Sequence, residues 1–261
     1  MSDIIFCKTR HHYDSYQDLW ALVELSGFET CYVDEIDPGS QNTYICPVLN
    51  GEWHHGWQQH MRAQVILWDL EWRIADDVDF GGVIPPGVQR VWASDKWYAD
   101  QIDAEYVLLG SHPGLKPDDE SASAEGWNVT FMAYMNGRRN AVQGDILRAG
   151  LSIAAPAWNP ERHQRLLNTR AMLHVHQHGG INTVAPLRFA LCAAYAMPLI
   201  SETCHDPAGF QGQVLFSDYD HMADYTCTAL RHETVMSNYG QALYQYLCED
   251  NSFRQCVGSA L

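Results

Sequence analysis

Four groups of residues carry the chemistry open to this sequence. The first is HVHQH, which places His174, His176 and His178 at every second position. On a strand, alternate side chains share a face, so the three imidazoles would line up. Such a row can ligate a metal, hydrogen-bond an anion or donate a proton. A zinc site needs convergent ligands with a supporting shell, and this stretch lacks the H-x-x-x-H spacing of hydrolytic helices. No metal is therefore expected. His174 reads as core, His176 and Gln177 as candidates to face a ligand cleft, and His178 as part of the Gly-rich exit.

The second group is Arg138 and Arg139, which follow Asn136-Gly137 where a strand turns into a helix. Guanidinium groups beside the unpaired N–H groups of a helix start suit an oxyanion or phosphate. The bland alternative is that one arginine is solvated and the other pairs with an acid. The third is Arg188 in VAPLRFALCAAYA, a nearly all-apolar helix with Pro186 and Leu187 in its first turn. An unpaired buried charge is prohibitive, so Arg188 must face either a cleft or a partner carboxylate. The fourth group is acidic. Asp69, Glu71 and Arg73 alternate in WDLEWR just past a buried run, and Asp95 follows VWAS. Carboxylates at strand ends can orient hydroxyls or act as bases, although a solvated turn with a local Glu–Arg pair explains WDLEWR equally well.

The elements that would position these groups are short. DIIFCK reads as a strand, SYQDLWALVELSG as a helix stopped at Gly27, and FETCYVDEI as a second strand. TYICPVL, AQVILWDL, VQRVWAS and AEYVLLGS supply four more strands, with helices at WHHGWQQHMR and DKWYADQI. The stretch HPGLKPDDESASAEGW loses all apolar periodicity and reads as a linker. Beyond it NVTFMAYM, LSIAAPA, AMLHVHQ, MPLISE and QVLFSDY read as strands. RRNAVQGDILRAG, PERHQRLLNTR, APLRFALCAAYA, a segment from His221 to about His232, and SNYGQALYQYLCED read as helices. The expected fold class is α/β, with two doubly wound units: residues 1–112, a linker over 113–126, and residues 127–261, whose last helix packs back on the first unit. Ligands of such sheets bind beyond the carboxyl ends of the strands, which adds Trp158 and Glu202 to the candidates.

Composition narrows the functions. The chain has 261 residues, 16 basic against 32 acidic, and a formal charge of −16. That opposes broad adhesion to nucleic acid or anionic membrane, and makes each arginine worth locating. Eight scattered cysteines form no C-x-x-C pair, so they read as buried reduced thiols. No apolar run approaches the roughly 20 residues of a membrane span, and the first residues do not read as a secretory signal; the expected location is cytoplasmic. The chain carries no G-x-x-x-x-G-K-[ST], no G-x-G-x-x-G after the first strand and no G-x-S-x-G, which argues against P-loop hydrolysis, ordinary NAD binding and α/β-hydrolase chemistry.

Five pieces in order, YVLLGSHPG, WNVTFMAYMNGRR, ERHQRLLNTRAMLHVHQ, PLRFALCAAYAMPLISE and QVLFSDYDHMADYTCTALRHE, resemble the C-terminal half of GT-B glycosyltransferases of the group-1, spore-maturation type. The resemblance runs from about Tyr106 to Leu247. It implies two Rossmann-like domains facing a cleft, the first on the acceptor side and the second holding a nucleotide-sugar. It implies a metal-independent transferase whose donor diphosphate is met by Arg138 or Arg139 and by Arg188, with His176, Gln177 and Glu202 nearby. No cofactor is implied beyond the nucleotide-sugar co-substrate. Trp158 would border the base, and Asp69, Glu71 or Asp95 would contact an acceptor of unidentified class: small molecule, glycan, protein or modified DNA. One departure matters: counting from Arg188, Leu191 stands where many group-1 enzymes carry a glutamate. It supports a competing expectation, a non-catalytic nucleotide- or sugar-binding protein on the same scaffold. A histidine-centred zinc hydrolase is the third alternative.

Overall fold

Apolar runs of four to six residues that are buried on both faces make parallel strands, and the amphipathic segments between them make the helices that cover those faces. The structure, a computed structural model, describes residues 3–8, 10, 16–48, 64–70, 88–118, 126–158, 160–181 and 183–261. A first sheet is built from β1 (Ile4–Lys8), β2 (Glu29–Tyr32), β3 (Thr43–Val48), β4 (Gln64–Asp69), β5 (Val88–Ala93) and β6 (Glu105–Tyr106), in the order β2-β1-β3-β4-β5-β6. A second is built from β7 (Trp127–Phe131), β8 (Ile153–Ala154), β9 (Thr169–His174), β10 (Leu199–Glu202) and β11 (Leu215–Ser217), in the order β11-β10-β9-β7-β8. Every strand pair in both sheets is parallel.

The helices are α1 (Gln17–Leu25), α2 (Lys96–Gln101), α3 (Gly137–Arg148), α4 (Pro160–Leu167), α5 (Pro186–Ala194), α6 (Met222–Ala229), α7 (Glu233–Tyr244) and α8 (Phe253–Ala260). Period-two alternation sorts each strand's side chains into two cores. In the first sheet Phe6, Ile45, Ile66 and Trp68 point toward α1, where Leu19, Leu22 and Val23 meet them. Cys7, Tyr44, Cys46, Val65 and Leu67 point the other way. In the second, Met172 and Leu199 pack under α5 and α7, while Val129, Phe131, Leu173 and Ile200 pack under α3 and α6. The doubly wound α/β architecture expected from the sequence is present.

Two departures have local causes. LSIAAPA and AEYVLLGS form strands of only two residues, because each lies at a sheet edge with one neighbour to pair with. Beyond β6 the chain instead leaves the sheet, tied by Val107 N–H to the Ala93 carbonyl at 2.9 Å and by Ser94 Oγ–H to the Val107 carbonyl at 2.9 Å. The helix α8 lies past the last regular element read from the sequence. Its signal is a capping box, in which Ser252 and Gln255 satisfy each other's backbone N–H groups. Phe253 and Val257 carry it into the core of the first sheet, against Phe6 and Trp68. The expected helix at WHHGWQQHMR lies outside the described residues.

The chain passes between the two sheets at 107–111 and returns at 251–253, and the two passages are stitched together. Ser111 N–H donates to the Leu247 carbonyl at 2.8 Å, Phe253 N–H donates to the Ser111 carbonyl at 3.0 Å, and Ser111 Oγ–H donates to the Ala190 carbonyl at 2.6 Å. Gly110 sits between them with no room for a side chain: a Cβ there would lie 2.1 Å from the Asn251 carbonyl oxygen.

Candidate functional site

In the second sheet the strand order reverses between β7 and β9, since β7 is followed outward by β8 and β9 by β10. At such a switch point the loops leave in opposite directions and a crevice opens beyond the carboxyl ends. A cavity of about 320 Å³ lies there. Met132, Ala133 and Tyr134 after β7, Gln177 after β9 and the start of α5 from Ala185 to Arg188 form one wall. Tyr16, Asp18 and Leu19 from the start of α1, with Leu70 after β4, form the facing wall.

Three guanidinium groups line this cavity: Arg139, Arg162 and Arg188. Arg139 is held by α3, whose N-cap Asn136 accepts from the Arg139 N–H at 3.0 Å. Its side chain is buried and donates to the carbonyls of Val175 at 2.9 Å and Tyr134 at 2.5 Å, which fixes the loops after β7 and β9 together. Arg188 lies in the first turn of α5, donating from Nε to the Met132 carbonyl at 3.1 Å. Its Nη1 lies 2.8 Å from His174 Nδ1. A guanidinium only donates, so His174 Nδ1 accepts and its proton sits on Nε2. Burial pushes the His174 pKa well down, and Arg188 and His176 add to the effect. His174 is thus a neutral, buried support for Arg188.

Arg162 reaches the cavity from α4 and ion-pairs with Asp18 of α1, tying the two walls. His163 Nε2 lies 3.6 Å from the other oxygen of Asp18, and its Nδ1 hydrogen-bonds the Tyr195 hydroxyl at 2.5 Å. Burial, aided by Arg162, lowers the His163 pKa. At the mouth, Tyr134 and Trp158 sit with ring centroids 5.0 Å apart and planes tilted by 34°. Tyr134 is 74% exposed, and a ring so exposed on a polar surface is available for stacking.

The structure therefore gathers Arg139, Trp158, Gln177, Pro186, Leu187 and Arg188 of the candidates into one cavity. Leu191 lines it as well, buried in the α5 face. Arg138, His176 and Glu202 form a separate group behind it. Arg138 stacks over Tyr219 at 3.8 Å and pairs with Glu202 at 2.5 Å, and the other Glu202 oxygen accepts from the His176 N–H at 2.9 Å. His176 is 2% exposed on its side chain, and its Nε2 has no hydrogen-bond partner among the described residues. Burial first, then Arg138, Arg188 and Arg139, hold its pKa at about 4, so the ring is neutral at pH 7. His178 is exposed in the following loop.

The acidic candidates are dispersed. Asp95 is buried as the N-cap of α2, accepting from the Tyr98 N–H at 2.9 Å and, from across the cleft, the Val184 N–H at 3.0 Å. Burial raises its pKa despite those two donors. Asp69 is buried at the end of β4, next to the cavity residue Leu70. Glu71 lies outside the described residues. Among the described residues, no group of three His, Cys, Asp or Glu side chains is placed to hold a metal ion. Tyr134, Asp18 and Arg162 were not singled out in the sequence. Tyr134 lies three residues past the end of β7, within reach of the strand-end rule, whereas Asp18 sits ten residues past β1, in the first turn of α1, where nothing local marks it.

No protein-family model matches the chain, and no curated protein matches it in sequence. Solved structures do match. HepE of Anabaena, in complex with UDP and glucose, superposes with a TM-score of 0.63 at 9% identity, covering 100% of this chain and 99% of that one. AviGT4, a glycosyltransferase involved in avilamycin A biosynthesis, gives 0.59 at 12% identity, covering 100% and 97%. TarM gives 0.55 at 9% identity; 93% of this chain is covered but only 56% of TarM, so the chain spans little more than half that protein's length. At these identities the likeness is one of fold. The chain has the GT-B fold of glycosyltransferases, as the five sequence pieces imply.

Proposed function

We propose that the chain is a glycosyltransferase that takes a sugar from a nucleotide-sugar donor without a metal ion. The observation that carries this reading is the convergence of Arg139 and Arg188 on the cavity at the β7/β9 switch point, in a chain of formal charge −16; Arg162, beside them, is already paired with Asp18. Against that overall field, these two guanidinium groups at one cavity favour an anion of high charge density. A nucleoside diphosphate fits, and its formation as leaving group is what fixed guanidinium groups stabilise as a glycosidic bond breaks. The α5 N-terminus, with Pro186 at its first position, adds its dipole in the same direction. Tyr134 and Trp158 offer rings on which a base can stack. The HepE structure with UDP and glucose shows a nucleotide bound by a protein of this fold.

In this reading the second sheet is the donor side and the first the acceptor side, with Asp69, at the end of β4, as the carboxylate that would meet the incoming acceptor. Asp95 is committed to backbone N–H groups on both sides of the cleft and serves as a brace rather than as a base. The eight cysteines are all unbridged, which suits a reducing, cytoplasmic setting. One observation favours a second reading, a binding protein without turnover: Leu191 presents an aliphatic face to the cavity where many group-1 enzymes carry an acid. Calorimetry with a panel of nucleoside diphosphates and nucleotide sugars, in the presence of a chelator, tests both. The transferase reading expects diphosphate binding and slow donor hydrolysis. Binding with no hydrolysis and no transfer to any acceptor pool favours the binding protein, and no diphosphate binding at all contradicts both.

A further inference from the structure

Three of the eight cysteines stand side by side on adjacent strands, and none of them lines the cavity. Cys7 of β1 and Cys31 of β2 are register partners in a parallel pair. Cys46 of β3 follows Ile45, which pairs with Phe6, and so flanks Cys7 on its other side. All three side chains lie on the same face of the first sheet. Neighbouring strands run about 4.8 Å apart, and a disulfide accepts Cα separations of roughly 4.4 to 6.8 Å. The Cys7 and Cys31 sulfurs are already 3.9 Å apart. Cys7 and Cys46 are buried, whereas Cys31 is half-buried on the outer strand and accessible to a small solute.

We propose that Cys31 and Cys7 form a peroxide-oxidisable dithiol, with Cys31 as the attacking thiol and Cys7 as the resolving one. The Cys31 thiolate attacks one peroxide oxygen, the O–O bond breaks, and the departing hydroxide takes a proton to leave as water. The resulting Cys31 sulfenic acid is then attacked at sulfur by Cys7, whose proton leaves with the expelled hydroxide as a second water. Two thiols lose two electrons, the peroxide gains them, and a Cys7–Cys31 disulfide remains. The division of labour follows from the neighbours. The hydrogen bond from Cys7 lowers the Cys31 pKa against the opposing influence of burial, Glu35 and Asp34. Cys7 is raised by its contacts with Cys31 and Cys46 and by burial, so it stays protonated until Cys31 is oxidised. Closing the bond requires the sulfurs to move together by about 2 Å, within reach of χ1 rotation on strands already in register. The inference is independent of the transferase reading.

The test is treatment of the native chain with a small excess of hydrogen peroxide, followed by alkylation and peptide mapping. The expected product is a Cys7–Cys31 linked peptide with a mass loss of about 2 Da, reversed by a dithiol reductant. Cys46→Ser should leave it intact and Cys31→Ser should abolish it, with Cys31→Ala as the second variant. The mapping on the unaltered chain stands whether or not the variants fold. Gains of about 16 or 32 Da on Cys31 without a link would overturn the proposal. So would a link from Cys7 to Cys46 instead, or Cys7 and Cys31 both remaining open to alkylation.

Discussion

Arg162 and Asp18 clasp the two walls of the cleft: the guanidinium comes from α4 beside the second sheet, the carboxylate from α1 beside the first, and the two side chains are only 15% and 16% exposed. Asp18 also faces His163, which is tied in turn to Tyr195. An ion pair so shielded holds the walls at a fixed spacing, and removing one partner strands the other's charge.

Asp18→Asn should therefore destabilise the chain by about 2 kcal/mol, and Arg162→Met by a similar amount. The double substitution should cost less than the sum, because it strands no charge. Urea unfolding of the four proteins checks this. Strictly additive losses would show that the pair is not coupled.

Acid stability should carry the signature of the buried histidines. The His176 pKa is about 4 in the folded chain, depressed by burial and by Arg138, Arg188 and Arg139, against about 6.5 unfolded. Between these values the unfolded chain binds a proton that the folded one refuses. The contribution is complete above about pH 6.5 and is lost as pH falls toward 4, up to about 3 kcal/mol, with His174 acting in the same direction. Unfolding midpoints measured from pH 7.5 to 4.5 should fall steadily, and His176→Asn should reduce that slope by about one proton. An unchanged slope in the variant would contradict the assignment.

Gly110→Ala places a methyl 2.1 Å from the Asn251 carbonyl oxygen, where the three nearest atoms, from Asn251, Ser252 and Phe253, are all main chain. Backbone cannot swing aside as a flexible side chain does, so the cost should be about 3 kcal/mol. A thermal melt within a degree of the parent would mean that the two passages between the sheets are not packed as described.

The parallel α/β order was legible because burial on both faces writes itself as short apolar runs, and Arg188 stood out as one charge in the apolar helix α5. Arg139 was legible only in part. Its place after NG marked it, yet nothing local separates it from Arg138, which turns away to Glu202 and Tyr219. That choice is set by helix phase: residues one apart on a helix point about 100° apart. Asp95 looked like a strand-end carboxylate and proved to be a cap, a role its DKWY context also permits. The Asp18–Arg162 pair could not be read at all, since its members are 144 positions apart and meet only when the two sheets do.

The central claim is that Arg139 and Arg188 flank the site of a nucleoside diphosphate. A structure determined with such a diphosphate, in chelator, tests it most directly. The account predicts phosphate oxygens about 3 Å from the Arg188 and Arg139 guanidinium groups, with the base beside Tyr134 and Trp158. Phosphates bound anywhere other than this cavity would contradict it.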